Sequence, residues 1–223
     1  MINKELQKRV FSSIILIPIA IFFIIKGSFL FNLFIIIIFL ISSYEWYMMS
    51  KKKNYHYFGY FFLIFSFYAV YQLRNNFGDE SESLFVFLFI LLICISTDIG
   101  GFIFGKIFKG PKLIKISPNK TYSGMIGGYL FSIATIFFLF EYSELLFDTN
   151  TKWLPKVYFH IILISTISQI GDIIISYFKR LSKIKDTGKI IPGHGGLLDR
   201  IDGMIFAFPF AYLIFKINVF QYF

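Results

Sequence analysis

Charge is scarce in this chain. Asp, Glu, Lys and Arg make up 16% of its 223 residues, against about 25% in ordinary soluble domains. Cysteine is nearly absent as well. The single one, Cys94, lies inside an apolar run, which excludes an intrachain disulfide and any CxxC site. No internal repeat or low-complexity tail is present, and the apolar composition excludes a disordered or collagen-like chain. Lys4, Lys8 and Arg9 precede the first apolar run as in a signal peptide. No A-x-A-like cleavage site follows, and that run is read as an uncleaved helix. What the chain has in excess is apolar surface: 57% hydrophobic residues, 32 of them Phe, and a mean hydropathy of +0.69. A soluble domain of this length has too little interior to hide so much. The remaining class is an all-α, polytopic membrane helix bundle.

A spanning helix needs about 20 predominantly apolar residues. Seven segments qualify: Val10–Ile25, Ser28–Tyr44, Tyr57–Leu73, Leu84–Phe104, Tyr122–Phe140, Val157–Phe178 and Met204–Phe223. The first is short, and Lys26-Gly27 makes the first two either a hairpin or a shallow re-entrant pair. Barrel strands would alternate polar and apolar over about 10 residues, and these segments do not. With the N-terminus cytoplasmic and all seven crossing, the outer side receives five of the 22 Lys and Arg: Lys26, Arg74, Lys152, Lys156 and Lys216. The acids Asp79, Glu80, Glu82, Glu141, Glu144 and Asp148 fall on that outer side. This is the positive-inside bias. The net charge of +9 is then a cytoplasmic basic face. Nothing stands free of the membrane to dock on a nucleic-acid duplex.

Ionisable residues inside spans cost roughly 2.5–3.5 kcal/mol each and default to function. Asp98 and Asp172 stand out. Ser165, Ser168, Gln169, Asp172 and Ser176 recur at helical offsets and form one polar stripe. For Ser165 and Ser168 the expectation is helix–helix hydrogen bonding. The pairs Gly101/Gly105 and Gly124/Gly128 allow close helix packing, a reading that also suits Gly127. Gly100 to Lys106 reads G-x-x-x-x-G-K, but Ile107 stands where a phosphate loop needs Ser or Thr for magnesium, so that reading is rejected.

The stretch Ser176 to Asp202 reads SYFKRLSKIKDTGKIIPGHGGLLDRID. Lys179, Arg180, Lys183, Lys185 and Lys189 are cations, Asp186, Asp199 and Asp202 are carboxylates, and Pro192 to Gly196 is a flexible turn with open backbone N–H groups. Asp199 and Asp202 share a helix face, and Asp172 meets them if the last two spans pack together. Carboxylates without a soft ligand suit a hard cation, Mg²⁺ above others. The surrounding cations make sense if that metal is shared with phosphates, and glycine-rich backbone at a helix start cradles anions.

These residues resemble the phosphatidate cytidylyltransferase (CDP-diacylglycerol synthase) family. Ser176 through Asp202 is similar to its signature, S-x-x-K-R-x-x-x-x-K-D-x-G-x-x-I-P-G-H-G-G-x-x-D-R-x-D. Gln169, Gly171 and Asp172 resemble its Q-x-G-D. Ser117-Pro118-Asn119-Lys120-Thr121 with Ser123-Gly124 resembles its S-P-x-K-T-x-x-G. Asp98, Gly101, Gly105 and Lys106 resemble its D-x-x-A-Y-x-x-G-[KR]. Gly101-Phe102 replaces the usual Ala-Tyr, and Tyr122-Ser123 the usual Trp-Glu. The first 90 residues match only as hydrophobic spans.

The resemblance implies transfer of CMP from CTP to phosphatidic acid, giving CDP-diacylglycerol and pyrophosphate for phospholipid synthesis. It also implies a two-metal Mg²⁺ site, a homodimer in the inner (plasma) membrane, and an active site facing the cytoplasm. Residues 1–223 then form one integral membrane domain, with N-terminal spans over 1–90 and catalytic spans and loops over 91–223. Asp172 and Asp199 are the expected first metal ligands, with Asp202 and Asp186 beside them. Lys179, Arg180, Lys185 and His194 join Asp172 and Asp199 as catalytic candidates. Ser117, Asn119, Lys120, Gly195, Gly196 and Arg200 are expected to bind the nucleotide and its phosphates. His56 and His160 are read as interfacial. Rival readings are a CTP-using enzyme for another lipid, such as a CDP-archaeol synthase or polyprenol kinase, and a transporter for an anionic solute. The transporter would need polar residues at matching depth in several spans, whereas here they cluster at one face.

Overall fold

A computed structural model describes residues 4–114, 116–142, 155–193 and 195–216. Its helices are α1 (Lys4–Lys26), α2 (Ser28–Ser50), α3 (His56–Asn75), α4 (Glu80–Phe108), α5 (Tyr122–Glu141), α6 (Pro155–Leu181), α7 (Leu198–Ile201) and α8 (Met204–Lys216). Among the described residues there is no strand, only the isolated bridges Lys112–Thr121 and Ile191–Gly195. Five helices (α1, α2, α4, α5 and α6) are long and apolar enough to cross a membrane, and α8 is a shorter apolar helix. The protein is a multi-pass membrane helix bundle. Helices are the outcome because a hydrocarbon solvent offers backbone groups no other partner. The expected seventh span runs on to Phe223; its last seven residues lie outside the described ones.

The surface carries the same signature. Phe11, Phe29, Tyr57, Phe58 and Phe61 are each more than two-thirds exposed, an apolar surface beyond what water tolerates. The interior holds two apolar clusters. One gathers Phe31, Phe85, Phe89, Ile90, Ile136, Ile161 and Phe208. The other gathers Trp46, Met49, Leu63, Phe67, Ile175, Leu198 and Ile205, and so includes the first residue of α7.

α1 is one continuous helix, and the chain reverses at Gly27 into α2. Arg74, from the last turn of α3, is buried and donates from Nε to the Ile24 carbonyl at 3.0 Å. It thereby caps the carbonyl end of α1, where a cation is favoured. A Cβ at position 27 would lie 2.5 Å from its guanidinium. At the other end of α1, Arg9 Nε donates to the Gly193 carbonyl at 2.8 Å and Ser12 Oγ to that of Pro192 at 3.2 Å. The start of the chain and the signature loop therefore share one end of the bundle.

α4 and α5 pack through glycines. A Cβ at Gly100 would lie 2.6 Å from that of Phe131, and one at Gly124 would lie 2.7 Å from the Gly101 carbonyl oxygen. The crossing thus rests on Gly100, Gly124 and Gly127, with Gly101 itself less crowded. Overpacking such a contact costs about 1–3 kcal/mol. Gly100→Ala and Gly124→Ala are each expected to lower thermal stability in detergent by that order, and an unchanged unfolding temperature would show that the helices part freely. The polar stripe on α6 works partly as expected: Thr97 Oγ1 of α4 donates to Ser165 Oγ at 2.8 Å.

Candidate active site

α6 ends at Leu181, and the chain turns back on itself. The amides of Ser182, Lys183 and Ile184 donate to the carbonyls of Phe178, Arg180 and Lys179 at 3.0–3.1 Å. The Ile191 amide then donates to the Gly195 carbonyl at 3.0 Å and closes the turn that follows. Gly193 and Gly195 have φ of 78° and 90°, values that side-chain-bearing residues rarely adopt. After Gly196 the chain enters α7.

A second loop reaches the same place from the α4–α5 connection. The Lys112–Thr121 bridge and a bond from the Leu113 amide to the Lys120 carbonyl (2.8 Å) hold it as a narrow hairpin. Thr121 caps α5 by accepting from the Gly124 amide at 3.1 Å. Ser117 and Lys120 close the tip, the Lys120 amide donating to the Ser117 carbonyl at 3.0 Å. Asn119 lies exposed beside them. Lys120 forms an ion pair with Asp172 on α6.

The fold brings three carboxylates near one another. Asp172 also accepts from Ser176 Oγ at 3.3 Å. Asp202, just past α7, is 8% exposed, shares a hydrogen bond with Asp172, and feels the charges of Lys179 and Asp98. Burial first, and the negative charge of Asp172 next, push the Asp202 carboxyl well above the ordinary carboxylate range. Asp98 on α4 lies within electrostatic reach of Asp172, Lys120 and Arg200. Asp199, on α7, faces protein donors. Its Oδ1 takes the Lys179 ammonium at 2.8 Å, and its Oδ2 accepts from the amides of Thr187 (2.8 Å) and Gly196 (3.1 Å). Lys179 thus pairs with Asp199 and also acts on Asp202 through its charge.

Among the described residues no three Asp, Glu, His or Cys side chains are arranged to hold a metal ion. Two lysine ammoniums, Lys120 and Lys179, balance the carboxylates instead. Arg180, Lys185 and Asp186 are exposed around this centre, and Arg180 donates to the Ile184 carbonyl at 3.2 Å. Arg200 is exposed on α7. Gly195 lies against Asp186 and Asp199, and the Gly196 amide is taken up by Asp199 rather than left open. His194 lies outside the described residues. His56 Nδ1 lies 2.7 Å from Ser50 Oγ at the α2–α3 turn.

Glu45 is a residue that the sequence reading passed over. It lies near the end of α2, is 1% exposed, and accepts three hydrogen bonds from the signature segment. A carboxylate within an otherwise apolar run was the available signal.

The sequence profile of the Cytidylyltransferase family matches this chain over residues 7–77 and 55–218. The chain belongs to that family. It is 36% identical over 224 residues to the phosphatidate cytidylyltransferase of Rickettsia typhi (strain ATCC VR-144 / Wilmington), covering 98% of this chain and 94% of that protein. It is 34% identical over 216 residues to the enzyme of that name from Rickettsia felis (strain ATCC VR-1525 / URRWXCal2), covering 95% and 93%. With that of Brucella suis biovar 1 (strain 1330) it shares 37% over 156 residues, 70% of this chain and 54% of the other. In this cytidylyltransferase the matched span takes in α2 and Glu45 as well as the signature loop.

Proposed function

We propose that this cytidylyltransferase transfers CMP from CTP to phosphatidate, releasing pyrophosphate and forming CDP-diacylglycerol. The site lies at the cytoplasmic face of the inner membrane, and the N-terminus is on that side. The observation that carries the reading is the convergence, at one end of a membrane bundle, of Lys120–Asp172, Asp202 and Lys179–Asp199. CTP is a soluble polyanion and the phosphatidate head is an anion at the bilayer surface. A joint site for both needs cations at the interface, and the basic residues Arg180, Lys185 and Arg200 are exposed around these carboxylates. The contact of Arg9 with Gly193 supports the topology, because Arg9 then lies at the same end of the bundle as the loop that carries the cations.

The donor type suits Mg²⁺, since carboxylates are hard oxygen ligands, although as the side chains stand the ammoniums of Lys120 and Lys179 hold the places beside Asp172 and Asp199. Asp172 and Asp202 would hold it, joined by Asp199 once that side chain turns from Lys179 and the two amides, with Asp186 at the margin and a second ion in the same cluster. Bound there, Mg²⁺ supplies charge neutralisation for the attacking and leaving oxygens. The chain's own residues do the rest. Lys120, Lys179, Arg180, Lys185 and Arg200 bind and orient the phosphates, and Ser117, Asn119, Gly195 and Gly196 line the nucleotide side. A phosphatidate oxygen attacks the α-phosphorus of CTP and forms the new P–O bond. The α–β bridging P–O bond breaks, and pyrophosphate leaves with its electron pair. No strong base is needed, since a phosphate monoester with a pKa near about 6 is largely dianionic at neutral pH. His194 acts as a hydrogen-bond donor to phosphate. Catalysis is therefore mainly positioning and charge stabilisation.

Purified protein is expected to incorporate radiolabelled CTP into phosphatidate in the presence of Mg²⁺ and to stop when EDTA is added. Activity with archaeol or polyprenol acceptors in place of phosphatidate would overturn the substrate assignment. Lys120→Ala removes a charge-assisted contact of about 1.5–3 kcal/mol. The apparent KM for CTP is expected to rise on the order of tenfold or more; an unchanged value would reduce Lys120 to a partner of Asp172. The enzyme acting as a homodimer is part of this proposal and is checked by light scattering of the detergent complex.

A further inference from the structure

We infer that Glu45 is a positioning residue for CMP transfer: its buried carboxylate clamps the signature loop at three points and so sets where α7 presents Asp199, Arg200 and Asp202. The inference rests on the cytidylyltransferase reading above.

The geometry is specific. Glu45 Oε2 accepts from Thr187 Oγ1 at 3.0 Å and from the Leu198 amide at 2.7 Å, while Oε1 accepts from the Leu197 amide at 2.9 Å. All three donors are neutral. Two of them are main-chain amides at the start of α7, groups that a helix leaves without internal partners. One turn later on the same helix, the Met49 carbonyl accepts from Ser182 Oγ at 2.8 Å. One face of α2 therefore holds the loop both where it leaves α6 and where it enters α7. Arg9 and Ser12 of α1 hold the intervening turn through Gly193 and Pro192.

Two glycines of the signature follow from the clamp. A Cβ at Gly196 would lie 2.7 Å from Glu45 Oε2, and one at Gly188 would lie 2.5 Å from Oε1. Any side chain there would lift the loop from the carboxylate. Thr187 ties the clamp to the reaction centre, giving its hydroxyl to Glu45 and its amide to Asp199. Asp199 in turn holds Lys179. Glu45 lies against the backbone of Gly196 but bonds to none of the charged phosphate-binding candidates, and its effect reaches those through Thr187 and α7. A stability role alone would be better served by apolar packing, because a buried carboxylate gives up its hydration. Misplacing reacting groups by about 1 Å costs on the order of 10²-fold in rate.

The test uses the full chain in nanodiscs, with CTP, phosphatidate and Mg²⁺. Glu45→Gln keeps the size and removes the charge. It is expected to lower kcat by about 10–100-fold while the KM for CTP stays within about threefold, the pattern of a lost transition-state arrangement. Thr187→Val is expected to behave likewise, and Thr187→Ser, which restores the hydroxyl, to regain most of the lost rate. Hydrogen exchange of the segment 187–198 is expected to quicken in Glu45→Gln. Wild-type kcat in Glu45→Gln and Thr187→Val, a change in KM alone, or a Thr187→Ser no better than Thr187→Val would overturn the inference. If Glu45→Gln does not fold, the Thr187 pair decides by the same criteria. If the wild-type protein incorporates no CTP, the enzyme reading falls, and exchange alone then decides on the clamp: unchanged exchange rejects it and faster exchange sustains it.

Discussion

Asp172→Asn is expected to lower kcat for CMP transfer on the order of 10³-fold, the scale on which removing one preorganised electrostatic partner of a transition state is felt. Asp172 is the point at which the site's parts meet. Its carboxylate pairs with Lys120 from the α4–α5 loop, accepts from Ser176 on its own helix, and shares a hydrogen bond with Asp202 beyond α7. The amide keeps the shape and loses the charge, so it frees Lys120 and removes one of the ligands proposed for Mg²⁺. The folded protein is expected to survive, because an Asn beside the crowded carboxylate of Asp202 relieves repulsion. The check is turnover measured across a Mg²⁺ titration alongside an unfolding curve. Full turnover in Asp172→Asn would remove this residue from the reaction.

The largest stability effect is expected at Lys179. Its side chain is 11% exposed and that of its partner Asp199 is 6% exposed, at 2.8 Å. Removing one member of a buried pair leaves an uncompensated charge and costs about 3–5 kcal/mol. Lys179→Met is therefore expected to destabilise the protein by that amount and to abolish transfer. Adding Asp199→Asn removes the stranded charge, so the double variant is expected to recover at least about 1–2 kcal/mol of the loss while remaining inactive. Equilibrium unfolding in a mild detergent checks this. A Lys179→Met protein as stable as wild type would mean that the pair is screened by water.

Much of this arrangement was legible in the residues. Apolar runs of spanning length, with charge confined to the connections, leave helices as the only solution in hydrocarbon. Asp172 announced itself as a carboxylate among apolar neighbours. Lys120 and the signature cations stood out through the motifs that resemble the family's. Other parts were hidden because they depend on which distant segments touch. Asp199 and Asp202 share a helical spacing, yet Asp202 faces Asp172 while Asp199 turns to Lys179 and two main-chain amides. The open amides expected around Gly196 are occupied, because Glu45 and Asp199 reach them first. Arg9, read as a topology charge, is also a contact of the turn at Gly193.

Composition and hydropathy by themselves determined that this chain lives in a bilayer and is helical, and the motifs singled out the side chains proposed to do its chemistry. Those properties are local: they follow from the transfer cost of each residue and from spacing along one helix. Only the packing of α1 and α2 against the loop before α7 decided how those side chains are aimed. A hydrogen bond between Glu45 and Leu198 joins positions far apart in the chain, and no periodicity within either segment records that they meet.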